Sequence, residues 1–458
     1  MMKLAFPTRQ PVTSGLSWLA IARLGLVQVS LGSIVVLTTS IMNRILVVEV
    51  GLLATVPGVL VGLHYAIQIG RPLWGHAADV GGNRTRWILG GMALLAASGT
   101  LAATTPILFE ANFFLGLVVG LIAYALIGFG IGASGTSLLA LLASRTAPDR
   151  RAAAATTVWI MMIGGIIITS IAASVVLDPY SHTKLIGLTA IAGMIAFVVA
   201  CLGVIGTERR FAPVRHRAVS EDINFREAFM DTWQDPHARL FTIFVFVSML
   251  SYATQDLILE PFGGLLFAMT PGETTALNGQ QHSGVLIGML LVGMSGSVFK
   301  RWRSQLLKGF TIAGCLGSGA ALAALAFGSM VAPHWPLQAN VVLLGFMNGM
   351  FAVAAIGTMM TLASTGKKSR EGIRMGLWGA AQAIAFGLGG FFGTAIKDVV
   401  VWLTNDVAIS FASVFTIEVV LFLASALIAT RIRYQIGQPT KAATRAQVSN
   451  PFQVQPAE

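Results

Sequence analysis

The sequence has 458 residues, of which 55% are hydrophobic and only 11% charged, with 50 Gly, 26 Phe and 18 Met. A soluble domain carries about 25% charged residues, so this chain lacks the polar surface to cover itself in water, which excludes an ordinary soluble enzyme, a disordered chain and a DNA-binding domain. The net charge of +11 is then a record of membrane orientation, and no nucleic-acid partner is expected.

A membrane-spanning helix needs about 20 apolar residues to cross roughly 30 Å of hydrocarbon. Twelve such runs lie near 24–46, 53–75, 86–105, 111–143, 155–177, 185–206, 240–262, 283–299, 306–330, 338–364, 373–396 and 407–430. Helices are expected throughout, because non-helical backbone leaves N–H and C=O groups without partners in lipid. The fourth and tenth runs are long enough to tilt or to end in shorter pieces. Taking the connections alternately, 27 of the 30 Lys and Arg fall on one side, leaving Arg44, Lys184 and Lys397 on the other. The positive-inside rule therefore places both termini in the cytoplasm. Cys201 and Cys315 lie in apolar runs and form no disulfide framework or metal pattern.

The two halves of the chain look alike. Run four carries Gly128-Phe129 and then Leu142-Ala143-Ser144 before a basic connection; run ten carries Gly345-Phe346 and then Leu362-Ala363-Ser364 before another. Arg151 precedes Trp159 by eight residues, as Arg370 precedes Trp378, and Gly-Gly pairs follow at 164–165 and 389–390. An offset of about 220 residues implies a duplicated six-helix unit. The expected division is an N-terminal half over 1–206, a cytoplasmic linker over 207–239, a C-terminal half over 240–437 and a polar, disordered tail over 438–458. Within the linker, Phe225, Phe229 and Trp233 recur every four residues, the stripe of a helix lying on the membrane surface. Gly116 and Gly120 in run four, and Gly376, Gly379 and Gly393 in run eleven, are small residues that let helices approach closely.

The connection between runs two and three reads Gly75-His76-Ala77-Ala78-Asp79-Val80-Gly81-Gly82-Asn83-Arg84-Thr85-Arg86. Its spacing, G-x-x-x-D-x-x-G-x-R-x-R, resembles the loop signature of the major facilitator superfamily. The resemblance implies an all-α membrane protein with twelve transmembrane helices in two six-helix halves. It also implies a cytoplasmic latch built from Gly75, Asp79, Gly82, Arg84 and Arg86, with Arg370 and Arg374 as candidate partners of Asp79. The corresponding connection between runs eight and nine keeps Lys300, Arg301 and Arg303 but has no Asp, so the latch is expected on one side only.

Three further segments narrow the resemblance. They are Asn43-Arg44-Ile45-Leu46-Val47-Val48-Glu49, Gly62-Leu63-His64-Tyr65-Ala66 and Gln255-Asp256-Leu257-Ile258-Leu259-Glu260-Pro261-Phe262-Gly263-Gly264. All look like the PucC/LhaA family, a branch of the facilitator superfamily in photosynthetic bacteria. Membership would imply assembly of light-harvesting complexes in the bacterial inner (intracytoplasmic) membrane. Bacteriochlorophyll would be the possible ligand. Antenna polypeptides, pigment-synthesising machinery and membrane lipid would be the partners.

In facilitator folds the outer ends of spans one and seven meet. Asn43, Arg44, Glu49, Asp256 and Glu260 then form a candidate outer gate or coupling site, with Arg44 paired to Asp256 or Glu260. Asp256 and Glu260 are four apart and share a helix face, and an intramembrane charge is normally paired or faces a cavity. Proton coupling through either acid is an alternative, as is a plain helix-end role. His64 is a possible axial ligand for the magnesium of a chlorin, since imidazole nitrogens bind metals readily; the alternative is a hydrogen bond to a neighbouring helix. His282 is a weaker candidate, and the embedded Glu418 has no assigned role. No nucleotide loop, metal cluster or nucleophile triad is apparent, so no catalytic residue is expected. Alternatives to antenna assembly are a proton-coupled secondary transporter of a small solute and a scaffold that binds antenna chains laterally.

Overall fold

A computed structural model describes residues 15–70, 83–147, 150–207, 230, 233–298, 303–364 and 371–432. Among them are twelve principal helices: α1 (Trp18–Glu49), α2 (Thr55–Gln68), α3 (Arg84–Ala102), α4 (Phe113–Arg145), α5 (Arg151–Val176), α6 (His182–Val204), α7 (Pro236–Phe267), α8 (Pro271–Val298), α9 (Arg303–Val331), α10 (Leu337–Ser364), α11 (Glu371–Thr404) and α12 (Val407–Arg431). The last part of α1 contains two π-helical turns, Leu37–Ile41 and Ile45–Glu49, and a short helix Thr105–Ala111 precedes α4. Ten of the twelve are long and apolar enough to cross a membrane, so the chain is a multi-pass membrane protein.

The two helices outside that set are α2 and α8. Of α2, 14 residues form the described helix, too few to cross alone at about 1.5 Å per residue. α8 has 28 residues and starts twelve residues before its apolar run does. Its first half carries Asn278, Gln281 and His282, all buried against other helices and away from lipid. Hydropathy reads them as loop; packing makes them interior.

Helix starts follow from their capping residues. The side chains of Ser17, Asn112, Ser181, Asp235 and Asp406 each accept a hydrogen bond from a first-turn amide, satisfying donors that no preceding turn can. Basic residues close two helix ends. Arg23 donates to the Leu202 and Ile205 carbonyls at the end of α6, at 2.9 and 3.1 Å. Lys308 donates to the Thr430 carbonyl of α12 at 2.7 Å. These cations sit where the helix dipole is negative.

Helices α1–α6 pack on one another, and α7–α12 on one another. α1 packs on α5 and α6, α3 on α4 and α6, and α2 on α4. Adding six to each number reproduces the second half: α7 on α11 and α12, α9 on α10 and α12, α8 on α10. Two seams join the halves, α2 with α11 and α5 with α8, and they too exchange under the same shift. The surface helix at 225–233, apart from Met230 and Trp233, and the polar tail lie outside the described residues.

Candidate functional site

Among the described residues, side-chain hydrogen bonds join the two halves on the face opposite the basic connections, the outer face. Asn43 Nδ2 of α1 donates to the Leu257 carbonyl of α7 at 2.5 Å. Its neighbour Arg44 donates to the Met269 carbonyl just beyond α7 at 2.9 Å and forms an ion pair with Glu49. The guanidinium is 3% exposed and the carboxylate 32%, so the pair runs from the interior to the outer surface. The close ion pair of Arg44 is thus with Glu49, also in the candidate set, where Asp256 or Glu260 was the expected partner. Glu49 lies five residues further along the same helix, a little over one turn from Arg44, and needs no movement of α7 to reach it. The π-helical turn at Ile45–Glu49 widens the helix where the two side chains meet.

Glu260 is 1% exposed and faces the Arg44 guanidinium and the Asn278 side chain. It makes no hydrogen bond of ordinary geometry among the described residues. Asp256, one turn earlier, is half-buried, and Glu418 of α12 is fully buried. Three carboxyl groups thus line the interior of the C-terminal half. Glu418 had no signal in the sequence beyond being an acid in an apolar run. An ionised group in such a place is costly unless partnered.

Further contacts ring the outer face. Thr55, at the start of α2, donates from both its amide and its hydroxyl to Asp398 Oδ2 of α11, each at 2.7 Å. Ala54, which precedes it, offers no capping side chain, so a carboxylate from the other half caps α2 at the positive end of its dipole. Lys397 lies 3.3 Å from the other Asp398 oxygen. The Thr270 hydroxyl donates to Asp178 Oδ2 at 2.7 Å. At the first residue of α6, His182 bridges the Tyr180 hydroxyl at 2.9 Å and Glu110 at 3.1 Å. Burial first, then the negative charges of Glu49 and Glu110, raise the Tyr180 phenol above its usual pKa. Sequence spacing gave no indication of Asp178 or Asp398, because each acts on a residue more than 90 positions away.

The residues expected to form a cytoplasmic latch are described only in part. Gly75, Asp79, Gly82, Arg370 and the side chain of Arg374 lie outside the described residues. Arg84 donates to the Ala140 carbonyl at 3.0 Å and to the Ser144 hydroxyl at 2.5 Å, so it ties α3 to the end of α4 within its own half. Arg86 lies at the exposed start of α3, where Asn83 caps its amide.

An apolar groove of about 330 Å³ opens along the seam between α2 and α11. Its walls are Val59, Gly62, Ala66 and Ile69 on one helix, and chiefly Ala383, Ile384, Gly387 and Phe391 on the other. The spacing on α2 is that of one helix face. His64 is two residues from Gly62, about 200° round the helix, and lies on the opposite face. Its carbonyl approaches Gly128 of α4, its ring is 1% exposed, and it stacks on Tyr65 at 4.4 Å. His64 is therefore not on the groove wall. Tyr65 continues the aromatic contact across the seam to Phe386 at 5.4 Å, and Phe386 to Tyr252 at 5.9 Å. His282 bonds back to the Asn278 carbonyl of its own helix at 3.0 Å.

A family model described as PUCC protein matches residues 41–436. The chain is 50% identical over 420 residues to a Rhodobacter capsulatus protein called bacteriochlorophyll synthase 44.5 kDa chain, covering 91% of this sequence and 96% of that one. It is 26% identical over 420 residues to the protein called PucC of Rhodovulum sulfidophilum, covering 86% and 88% of the two. In three dimensions it is similar to a crystal structure of a D-xylose-proton symporter, with a TM-score of 0.69 at 13% identity over 90% of this chain and 97% of that one. At that identity the likeness concerns the fold alone, which is the major facilitator fold the sequence led us to expect.

Proposed function

The chain belongs to the PucC protein family, and on that premise we propose that it assembles light-harvesting complexes in the membrane of a photosynthetic bacterium. In this reading it holds bacteriochlorophyll in the α2–α11 groove and hands it to antenna polypeptides. The observation that supports the reading is the groove itself: it is apolar, carries the exposed side chains of Val59, Ile69 and Ile384, and lies at the seam where the two halves meet. A lipid-soluble ligand gains little by exchanging lipid for Leu and Ile, since both are equally apolar. Affinity must then come from close contact with a shaped wall and from aromatic stacking. Gly62 and Gly387 form a flat floor, and Phe391 supplies a ring. His64 has no part in this site.

The relative's name refers to pigment synthesis, yet the fold is that of transporters. We infer that this chain handles pigment without making it, and that both its termini lie in the cytoplasm of the bacterial inner membrane. Filling the groove tests the site. Ala383→Trp should lower the bacteriochlorophyll that copurifies with the protein several-fold while leaving its membrane abundance unchanged, read by near-infrared absorbance against an immunoblot. Equal pigment in variant and wild type would remove the groove from the account.

A second reading, a proton-coupled transporter of a small solute, is favoured by the buried Glu260, Glu418 and half-buried Asp256 inside the C-terminal half. A deletion strain separates the two. Loss of one antenna absorption band with pigment synthesis intact supports assembly. An unchanged near-infrared spectrum supports the transporter.

A further inference from the structure

We propose that the outer face is held shut by two equivalent clasps, Asp178 with Thr270 and Asp398 with Thr55, and that both must release before the halves part there. The two carboxylates are 220 positions apart, the offset of the internal repeat. Asp178 follows α5 and reaches the cap of α8; Asp398 lies in α11 and reaches the start of α2. These are the two seams that exchange when six is added to each helix number. In each clasp a Thr hydroxyl at a helix N-terminus donates to a carboxylate Oδ2 of the other half at 2.7 Å.

The packing beneath each clasp repeats as well. A Cβ on Gly58 of α2 would meet the Thr394 hydroxyl of α11 at 2.1 Å, and one on Gly279 of α8 would meet the Ser170 Cβ of α5 at 3.1 Å. Gly58 and Gly279 are 221 positions apart. Each seam therefore consists of a glycine against a hydroxyl residue inside the membrane, with an Asp–Thr bond at its outer edge. A side chain at a helix N-terminus bonded to a carboxylate is a charge-assisted contact that water replaces readily once the seam opens, whereas the glycine contacts are van der Waals surfaces that tolerate rotation. Because the two clasps are equivalent under the repeat, one intact clasp keeps the halves together at the outer edge. The bonds from Asn43 and Arg44 to the Leu257 and Met269 carbonyls are unchanged in every variant below, so the widening is expected at the seams.

The inference is independent of which ligand the protein handles. Spin labels at Leu53→Cys and Leu403→Cys, both exposed outer positions on different halves (67% and 65%), report the width of the face in a Cys201→Ser, Cys315→Ala background. The parent should give one short distance population. Asp178→Ala or Asp398→Ala alone should leave that population dominant. The two together should shift a large fraction to longer distance. If the double alanine variant does not extract as a monodisperse protein, Asp178→Asn with Asp398→Asn should give the same shift in smaller measure. A short population unchanged in both double variants, or one fully displaced by a single substitution, overturns the paired-clasp account.

Discussion

Arg44→Glu should reduce the amount of folded protein in the membrane by at least tenfold, measured as the monodisperse fraction extracted in mild detergent. The guanidinium sits 3% exposed between the Glu49 carboxylate and the Met269 carbonyl, facing the buried Glu260. Replacing it with an acid brings a third carboxylate into that space and strands the other two. Removing one partner of a buried pair costs about 3–5 kcal/mol, and like charges add to it. The pair can be rebuilt in reverse, so Arg44→Glu with Glu49→Arg should recover part of the loss. Arg44→Glu protein that extracts at the wild-type level would show that the ion pair contributes nothing to the outer end of α1.

Gly345→Leu should have a comparable effect for a different reason. A Cβ at Gly345 would lie 2.0 Å from the Gln281 carbonyl, and one at Gly349 would lie 2.1 Å from that of Val285. From the other helix, Gly284 meets the Val342 carbonyl at 2.4 Å and Gly288 that of Phe346 at 2.2 Å. Two glycine pairs, each spaced by four, thus interlock α8 with α10 backbone to backbone. Overpacking costs about 1–3 kcal/mol when side chains can yield, and here the obstacle is main chain. Gly187→Leu serves as the control. Nothing lies within 4 Å of that position on α6, so abundance there should hold or rise slightly through the better helix propensity of Leu. Equal abundance of the two variants would mean that the α8–α10 contact is looser than described.

Much of this architecture is written in one-dimensional properties of the chain. Length of apolar run and side of basic residue depend only on local sequence and on lipid, so α3–α7 and α9–α12 fall close to the expected ranges. α8 does not, because Asn278, Gln281 and His282 are polar yet interior, and hydropathy cannot tell a polar residue facing a helix from one facing water. The repeat was legible from Trp159 and Trp378, and the helix packing follows the same offset. The contacts around the candidate outer gate were legible only as a region. Asn43 and Arg44 do reach α7, but through the Leu257 and Met269 carbonyls, which every sequence possesses and none advertises. Asp178 and Asp398 read as ordinary helix-end acids until folding brings Thr270 and Thr55 to them. The interlocking glycines of α8 and α10 were likewise hidden among 50 others, and Gly116 meets Phe109 of the preceding short helix where a partner span was expected.

Central to the proposed function is that the protein carries pigment while it assembles antennas. The direct measurement is the near-infrared absorption spectrum of the intact protein purified in mild detergent from pigment-replete membranes, alongside its Ala383→Trp variant. The account predicts a bacteriochlorophyll band in the wild type that falls several-fold in the variant. A colourless wild-type protein, extracted folded from those membranes, would contradict it.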